Sequence, residues 1–114
     1  YSAAFDLATH TRLLDDDARA VADLAQFVEN CKKPLFFVGD GAKLCYNEYG
    51  QIPGVHAPPP ALGHVRGLGV CLAAARMHAA GQCVLPAALV PSYHRLSQAE
   101  RERAEREKSK GGPL

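Results

Sequence analysis

The chain has almost no excess charge, no long apolar run, no paired cysteines and no paired histidines, and each absence removes a class of function. Its 13 Lys and Arg against 12 Asp and Glu leave a formal net charge of +1, which argues against a surface dedicated to a nucleic-acid backbone. No apolar run approaches the roughly 18 residues that a bilayer span requires. The cysteines, Cys31, Cys45, Cys71 and Cys83, include no C-x-x-C pair, and no histidine stands at zinc-finger spacing from them. They read as reduced thiols of a cytosolic protein, with Cys71 a small hydrophobe inside an apolar stretch. The histidines (His10, His56, His64, His78 and His94) are scattered. No H-x-x-x-H or H-E-x-x-H pair sets two imidazoles on one helical face, so metal catalysis has no support. Position 1 is Tyr rather than Met, which predicts that the chain begins inside a larger protein, and the lack of a leader there says little about compartment.

What is present reads as an α/β unit with a tail. With 114 residues, 47% hydrophobic and 22% charged, one modest globular domain with a single core is expected. Ser2 to Asp6 predicts a short strand with Tyr1, Ala3 and Phe5 on one face. After a turn-prone stretch, Arg12-Leu13-Leu14 returns as an antiparallel strand. Asp15-Asp16-Asp17 suits the positive end of a helix dipole, with one carboxylate as N-cap. A metal site is the competing reading of the triplet, but contiguous Asp side chains point in different directions. Val21, Leu24, Phe27 and Val28 form one helical stripe, closed by Lys32-Lys33-Pro34.

Leu35 to Val38 is unbroken, apolar and short, the pattern of a strand buried on both faces. Gly39-Asp40-Gly41 ends it, and Ala42 to Tyr49 predicts a short helix with Leu44, Cys45 and Tyr49 partly buried. Gly50 to Pro60 is an irregular connection with a brief strand at Val55-His56, and Pro60 suits the first turn of a helix. Ala61 to Ala80 predicts the longest helix, with Gly81 at its C′ position. Gly63, Gly67 and Gly69 within it each cost about 1 kcal/mol of helix propensity. That cost makes sense if the helix packs closely on another backbone.

Two phrases about fifty residues apart carry the functional signal. The first is Val38-Gly39-Asp40-Gly41-Ala42, a strand-end glycine turn that opens a helix. Such a turn can bring backbone N–H groups to an anionic ligand, or it can merely permit positive φ and close helix–strand approach. The second is Pro91-Ser92-Tyr93-His94-Arg95. Pro91 predicts an edge or extended segment, Tyr93 offers an apolar ring with a polar tip, and Arg95 can pair with a carboxylate. Structural anchoring by Tyr93 and Arg95 is the main reading, and a catalytic Tyr/His/Arg cluster the other. No motif sets a base beside Ser2, Ser92, Ser97 or Ser109, so no nucleophile is evident. Ser97-Gln98-Ala99-Glu100 is a capping box. It opens a charged helix with six basic and four acidic residues from Arg95 onward, read as a solvated projection or as a partner-docking or tRNA-grazing helix. Lys110 to Leu114, with Gly111-Gly112-Pro113, is expected to fray.

In this order the two phrases resemble the C-terminal half of the TsaB (YeaZ) family, the non-catalytic, glycoprotease-like subunit in bacterial synthesis of tRNA threonylcarbamoyladenosine. The resemblance runs over nearly the whole chain, and Tyr1 to Asp6 looks like the strand that follows the family's Asp-Ala-Arg segment. His94 departs from the pattern, which has an aliphatic residue between Tyr and Arg. The resemblance implies the C-terminal lobe of an actin-like ATPase (ASKHA, RNase H-like) fold, lacking the N-terminal lobe and the first strand of its own lobe. It implies an incomplete α/β lobe over 1–96 and a charged helical tail over 97–114, with an exposed or differently paired sheet edge.

For function, the resemblance implies a cytoplasmic scaffold that binds and activates a TsaD-type paralogue, together with an ATPase subunit of the same complex. That enzyme modifies the adenosine beside the tRNA anticodon. A homodimer is a further implied partner, tRNA is met only indirectly, and no membrane is involved. Gly39, Asp40 and Gly41 would be a vestigial nucleotide turn, with Asp40 facing a ribose hydroxyl if ATP or ADP binds at all. No resident cofactor or metal and no catalytic residue are expected. The competing class is an ATPase or a glycoprotease-like peptidase of the same superfamily.

Overall fold

The computed structural model describes residues 1–110, as a mixed helix and strand chain. The fraying expected beyond Lys110 lies outside the described residues. Two units emerge, one made of Tyr1–Ala18 with the chain from Val90 onward, the other of Arg19–Leu89.

In the first unit, β1 (Ser2–Phe5) pairs antiparallel with β2 (Arg12–Asp17). The register runs Ser2 to Asp17, Ala4 to Leu14 and Phe5 to Arg12, with irregularities between these pairs. The turn between them is built by Asp6, whose Oδ1 accepts from the Ala8 and Thr9 amides at 2.8 and 3.3 Å. A backbone bond from Asp6 N–H to the Thr11 carbonyl (2.8 Å) closes the loop. His10 takes φ +56° there, in the left-handed region that short turns demand. Arg12 lies over the Phe5 ring at 4.6 Å and pairs with Asp16. The acidic triplet therefore does not cap a helix. Asp15–Asp17 continue β2, because pairing with β1 holds this stretch extended. Helix α4 (Gln98–Lys110) belongs to the same unit.

The second unit begins with a 3-10 turn, Val21–Leu24, that runs into α1 (Ala25–Asn30). Its entry is satisfied by Asp23, whose carboxylate accepts the Ala20 N–H at 2.9 Å. The expected stripe faces inward: Leu24 and Val28 are buried, Val21 and Phe27 half-buried. β3 is only Leu35–Phe36, and it pairs in parallel with β4 (Val55–His56), Leu35 opposite Val55 and Phe36 opposite His56. The strand expected to be buried on both faces is thus shorter and more open, with Val38 and Phe36 exposed. Helix α2 (Ala42–Tyr49) crosses between the two parallel strands, as such a connection requires. Tyr49 is buried and Cys45 half-buried, whereas Leu44 is exposed, contrary to expectation.

Rings fill the space between α2 and β3. Phe37 meets Tyr46 edge-on at 5.4 Å and stacks with Tyr49 at 6.1 Å. The Tyr49 hydroxyl donates to the Val21 carbonyl at 2.6 Å and so ties α2 to the 3-10 turn. The described residues form two separate two-stranded sheets, β1–β2 and β3–β4, rather than one continuous sheet.

Beyond this cluster the polypeptide is sparsely covered. Pro60–Leu62 is a 3-10 turn and α3 runs Gly67–Ala79, later than the expected start at Ala61. Gly81 (φ +69°) closes α3 in a Schellman arrangement, with Gln82 N–H on the Met77 carbonyl and Gly81 N–H on that of His78. The glycines of α3 do not mark close packing. A methyl group at Gly67 or Gly69 would meet open space, and no residue of the helix is buried. Among the described residues the buried hydrophobics are Leu24, Val28 and Tyr49.

Candidate functional site

The glycine turn sits between β3 and α2, where sequence placed it. Gly39 has φ +94°, a conformation that a side chain would strain. Its N–H donates to the Gly63 carbonyl at 2.7 Å, and its own carbonyl accepts from Ala42 at 3.1 Å. Gly41 is the N-cap of α2, and its carbonyl accepts from Leu44 and Cys45. A ligand phosphate arriving here would find the Gly39 amide already engaged. Asp40 projects fully into solvent, with His64 Nδ1 3.9 Å from its carboxylate. A carboxylate in that place repels an anion and suits a hydroxyl-rich or cationic group instead.

Behind the turn lies a residue that sequence reasoning left out. Tyr46 reaches from α2 to both strands. Its hydroxyl accepts the Phe37 N–H at 2.9 Å and lies 2.7 Å from the His56 carbonyl and 3.0 Å from that of Phe37. One phenol thereby fixes the end of β3, the end of β4 and the middle of α2. No local pattern announces such a bridge, since its acceptors come from two segments brought together only by parallel pairing.

The second phrase belongs to the other unit. Pro91 to Arg95 has no regular structure, Tyr93 is 85% exposed, and Arg95 is exposed and makes no ion pair among the described residues. Neither side chain is buried as an anchor. Ser92, Tyr93 and His94 instead line an open depression of about 580 Å³ with Tyr1, Ser2, Ala3 and Asp16. Within it Ser92 Oγ stands 3.2 Å from His94 Nε2. This corrects the expectation that Ser92 has no base beside it. The signal was the Ser-x-His spacing itself, which leaves the two side chains only two residues apart in the chain. Asp16, on the same depression, is engaged by Arg12. The arrangement supplies a hydroxyl, an imidazole and two phenol rings to solvent, without the buried third group that orients a base in nucleophilic catalysis.

The capping box expected at the start of α4 is present in full. Ser97 N–H and Oγ both donate to Glu100 Oε2, at 2.8 and 2.7 Å, and the Glu100 N–H returns to Ser97 Oγ at 3.3 Å. The Ser97 hydroxyl, then its amide, hold the Glu100 carboxyl below the usual carboxylate range. Along the exposed helix, Gln98 meets Glu102 and Arg103 meets Glu107. Burial pushes the Cys45 thiol above its ordinary value, so this thiol is a packing group and not a ready nucleophile. All four cysteines are free. Among the described residues no cluster of three or more His, Cys, Asp or Glu is grouped to hold a metal ion, and no helix is long and apolar enough to cross a membrane.

No family model, curated protein or solved structure matches the chain.

Proposed function

We propose that this chain is a non-catalytic scaffold subunit of the machinery that makes threonylcarbamoyladenosine in tRNA, and that it binds a TsaD-type enzyme. The reading rests on the two phrases in their order and on the state of the glycine turn. Gly39 spends its amide on Gly63 and its carbonyl on Ala42, so the turn serves the β3–α2 junction. Asp40 stands in solvent, its carboxylate 3.9 Å from His64 Nδ1. A vestigial nucleotide turn would have these properties: the glycine remains because the backbone still needs positive φ, and its amide serves the fold. The β3–α2–β4 crossover and the antiparallel β1–β2 pair are also elements that a lobe of the ATPase-like fold contains.

Co-purification tests the proposal. The tagged chain, expressed with a TsaD-type enzyme, is expected to retain that enzyme through size exclusion and to raise its threonylcarbamoyl transfer to tRNA. Titration with ATP is expected to release no measurable heat. Absence of a complex at micromolar concentrations of both proteins would sink the scaffold reading, and saturable ATP heat would restore a nucleotide role to Gly39, Asp40 and Gly41.

The 3.2 Å approach of Ser92 to His94 favours a second reading, a hydrolase acting through Ser92. In that case Ser92→Ala would abolish hydrolysis of peptide or ester substrates while leaving the fold intact. A Ser92→Ala protein as active as the parent, or a parent with no hydrolytic rate, excludes it.

A further inference from the structure

The open depression beside β1 carries two large rings turned to water. Tyr1 is 79% exposed and Tyr93 85%, and among the described residues neither is in contact with another ring. Both line the same depression, which lies wholly within the first unit. Each ring therefore keeps most of the roughly 150–250 Å² that an aromatic side chain can bury. Polar groups stand beside the rings in pairs. Ser92 Oγ lies 3.2 Å from His94 Nε2, and Arg12 pairs with Asp16, the one carboxylate of the lining.

We propose that this depression binds a neutral saccharide, with one sugar ring on Tyr93 and the next on Tyr1. The exposed phenol rings call for flat apolar faces, which the C–H groups of a pyranose present. The Ser92–His94 and Arg12–Asp16 pairs each set a donor beside an acceptor, and a sugar hydroxyl both gives and takes a hydrogen bond. Charged ligands fit less well. A cation would compete with the Arg12 guanidinium for Asp16, and an anion would meet that carboxylate at close range. An apolar ligand would stay half in water, because the depression is open. Its volume of about 580 Å³ falls within the roughly 300–1,000 Å³ of small-molecule sites, enough for two sugar rings. An open site covers less of its ligand than the roughly 70–90% of an enclosed pocket, so Kd is expected at about 0.1–10 mM. Such binding needs neither a TsaD-type partner nor hydrolysis at Ser92, so it holds or fails apart from both.

The full chain is titrated past that range with cellobiose, maltose and diacetylchitobiose, and separately with adenosine, and its aromatic NMR signals are followed. At least one sugar is expected to bind saturably, shifting the ring signals of Tyr1, Tyr93 and His94 while those of Tyr46 and Tyr49 stay in place. Tyr1→Ala and Tyr93→Ala are each expected to weaken binding about three- to tenfold, the size of one aromatic contact. Tyr93→Phe keeps the ring and is expected to keep most of the affinity. Ser92→Ala is expected to weaken binding about three- to tenfold, the size of one hydrogen bond. The wild-type shifts make the test independent of how the variants fold. No saturable shift with any of the three sugars overturns the proposal. So does an affinity that both alanine variants leave unchanged, and so does adenosine binding more tightly than every sugar, which would give the depression to a nucleobase.

Discussion

Replacing Tyr46 by Phe keeps the ring and removes one oxygen, which makes it the sharpest probe of the second unit. The ring's edge contact with Phe37 at 5.4 Å survives. Lost are the acceptor of the Phe37 N–H (2.9 Å) and the donor to the His56 carbonyl (2.7 Å). Each net hydrogen bond contributes about 0.5–1.5 kcal/mol, and a part-buried N–H left without a partner adds a desolvation penalty of similar size. Together these give a loss of about 2–3 kcal/mol, large beside the 5–15 kcal/mol typical of whole domains. At roughly 4–8 °C per kcal/mol for a unit of this size, Tm falls by about 10–20 °C in thermal circular dichroism. Hydrogen exchange gives a local readout: the Phe37 amide should exchange faster even where global unfolding is suppressed. A change below about 0.5 kcal/mol, the range of ordinary surface substitutions, would refute the claim that this hydroxyl joins β3, β4 and α2.

Leu24→Ala removes one of the three buried hydrophobics among the described residues and should destabilise the second unit by about 2–3 kcal/mol in urea titration, at the low end for core leucines because little surrounds it. Gly81→Ala forces a side chain to φ +69°, so α3 should lose about 1–2 kcal/mol, seen as faster exchange of its last-turn amides. Glu100 has its folded value lowered by Ser97. Its contribution to α4 is therefore full above the ordinary carboxylate value and disappears as pH falls through the lowered one. Far-UV helicity should drop in that acidic window, and Ser97→Ala should flatten the response. Tyr49 and Cys45 have raised values, Tyr49 through burial and then Glu48. The second unit should consequently weaken as pH climbs past the ordinary thiol and phenol values, and Tyr49→Phe should remove the phenol part.

Features closed within a few residues were legible in the sequence. Ser97 and Glu100 cap α4 because the box spans only four residues. Gly81 ends α3 and Gly39 turns β3 into α2 because only glycine takes those φ values without strain. The antiparallel pairing of β1 and β2 followed from a short apolar strand, a turn and a returning strand. Partners distant in the chain were not legible. Asp15 to Asp17 look like a helix start in isolation, but β1 recruits them into β2, since a ladder of backbone hydrogen bonds outweighs a local capping preference. The Ser92–His94 approach was not legible because it depends on the path of the irregular segment from Pro91 to Arg95.

Sequence alone determined the order of strands, turns and helices, because φ preferences, caps and apolar periodicity act over one or two turns of chain. Tertiary structure decided the use to which the elements are put. It engaged the Gly39 amide with Gly63, joined three elements at one tyrosine hydroxyl and left α3 uncovered. Those outcomes depend on which distant groups meet, and a hydrogen bond or a buried surface exists only where two segments arrive at the same place.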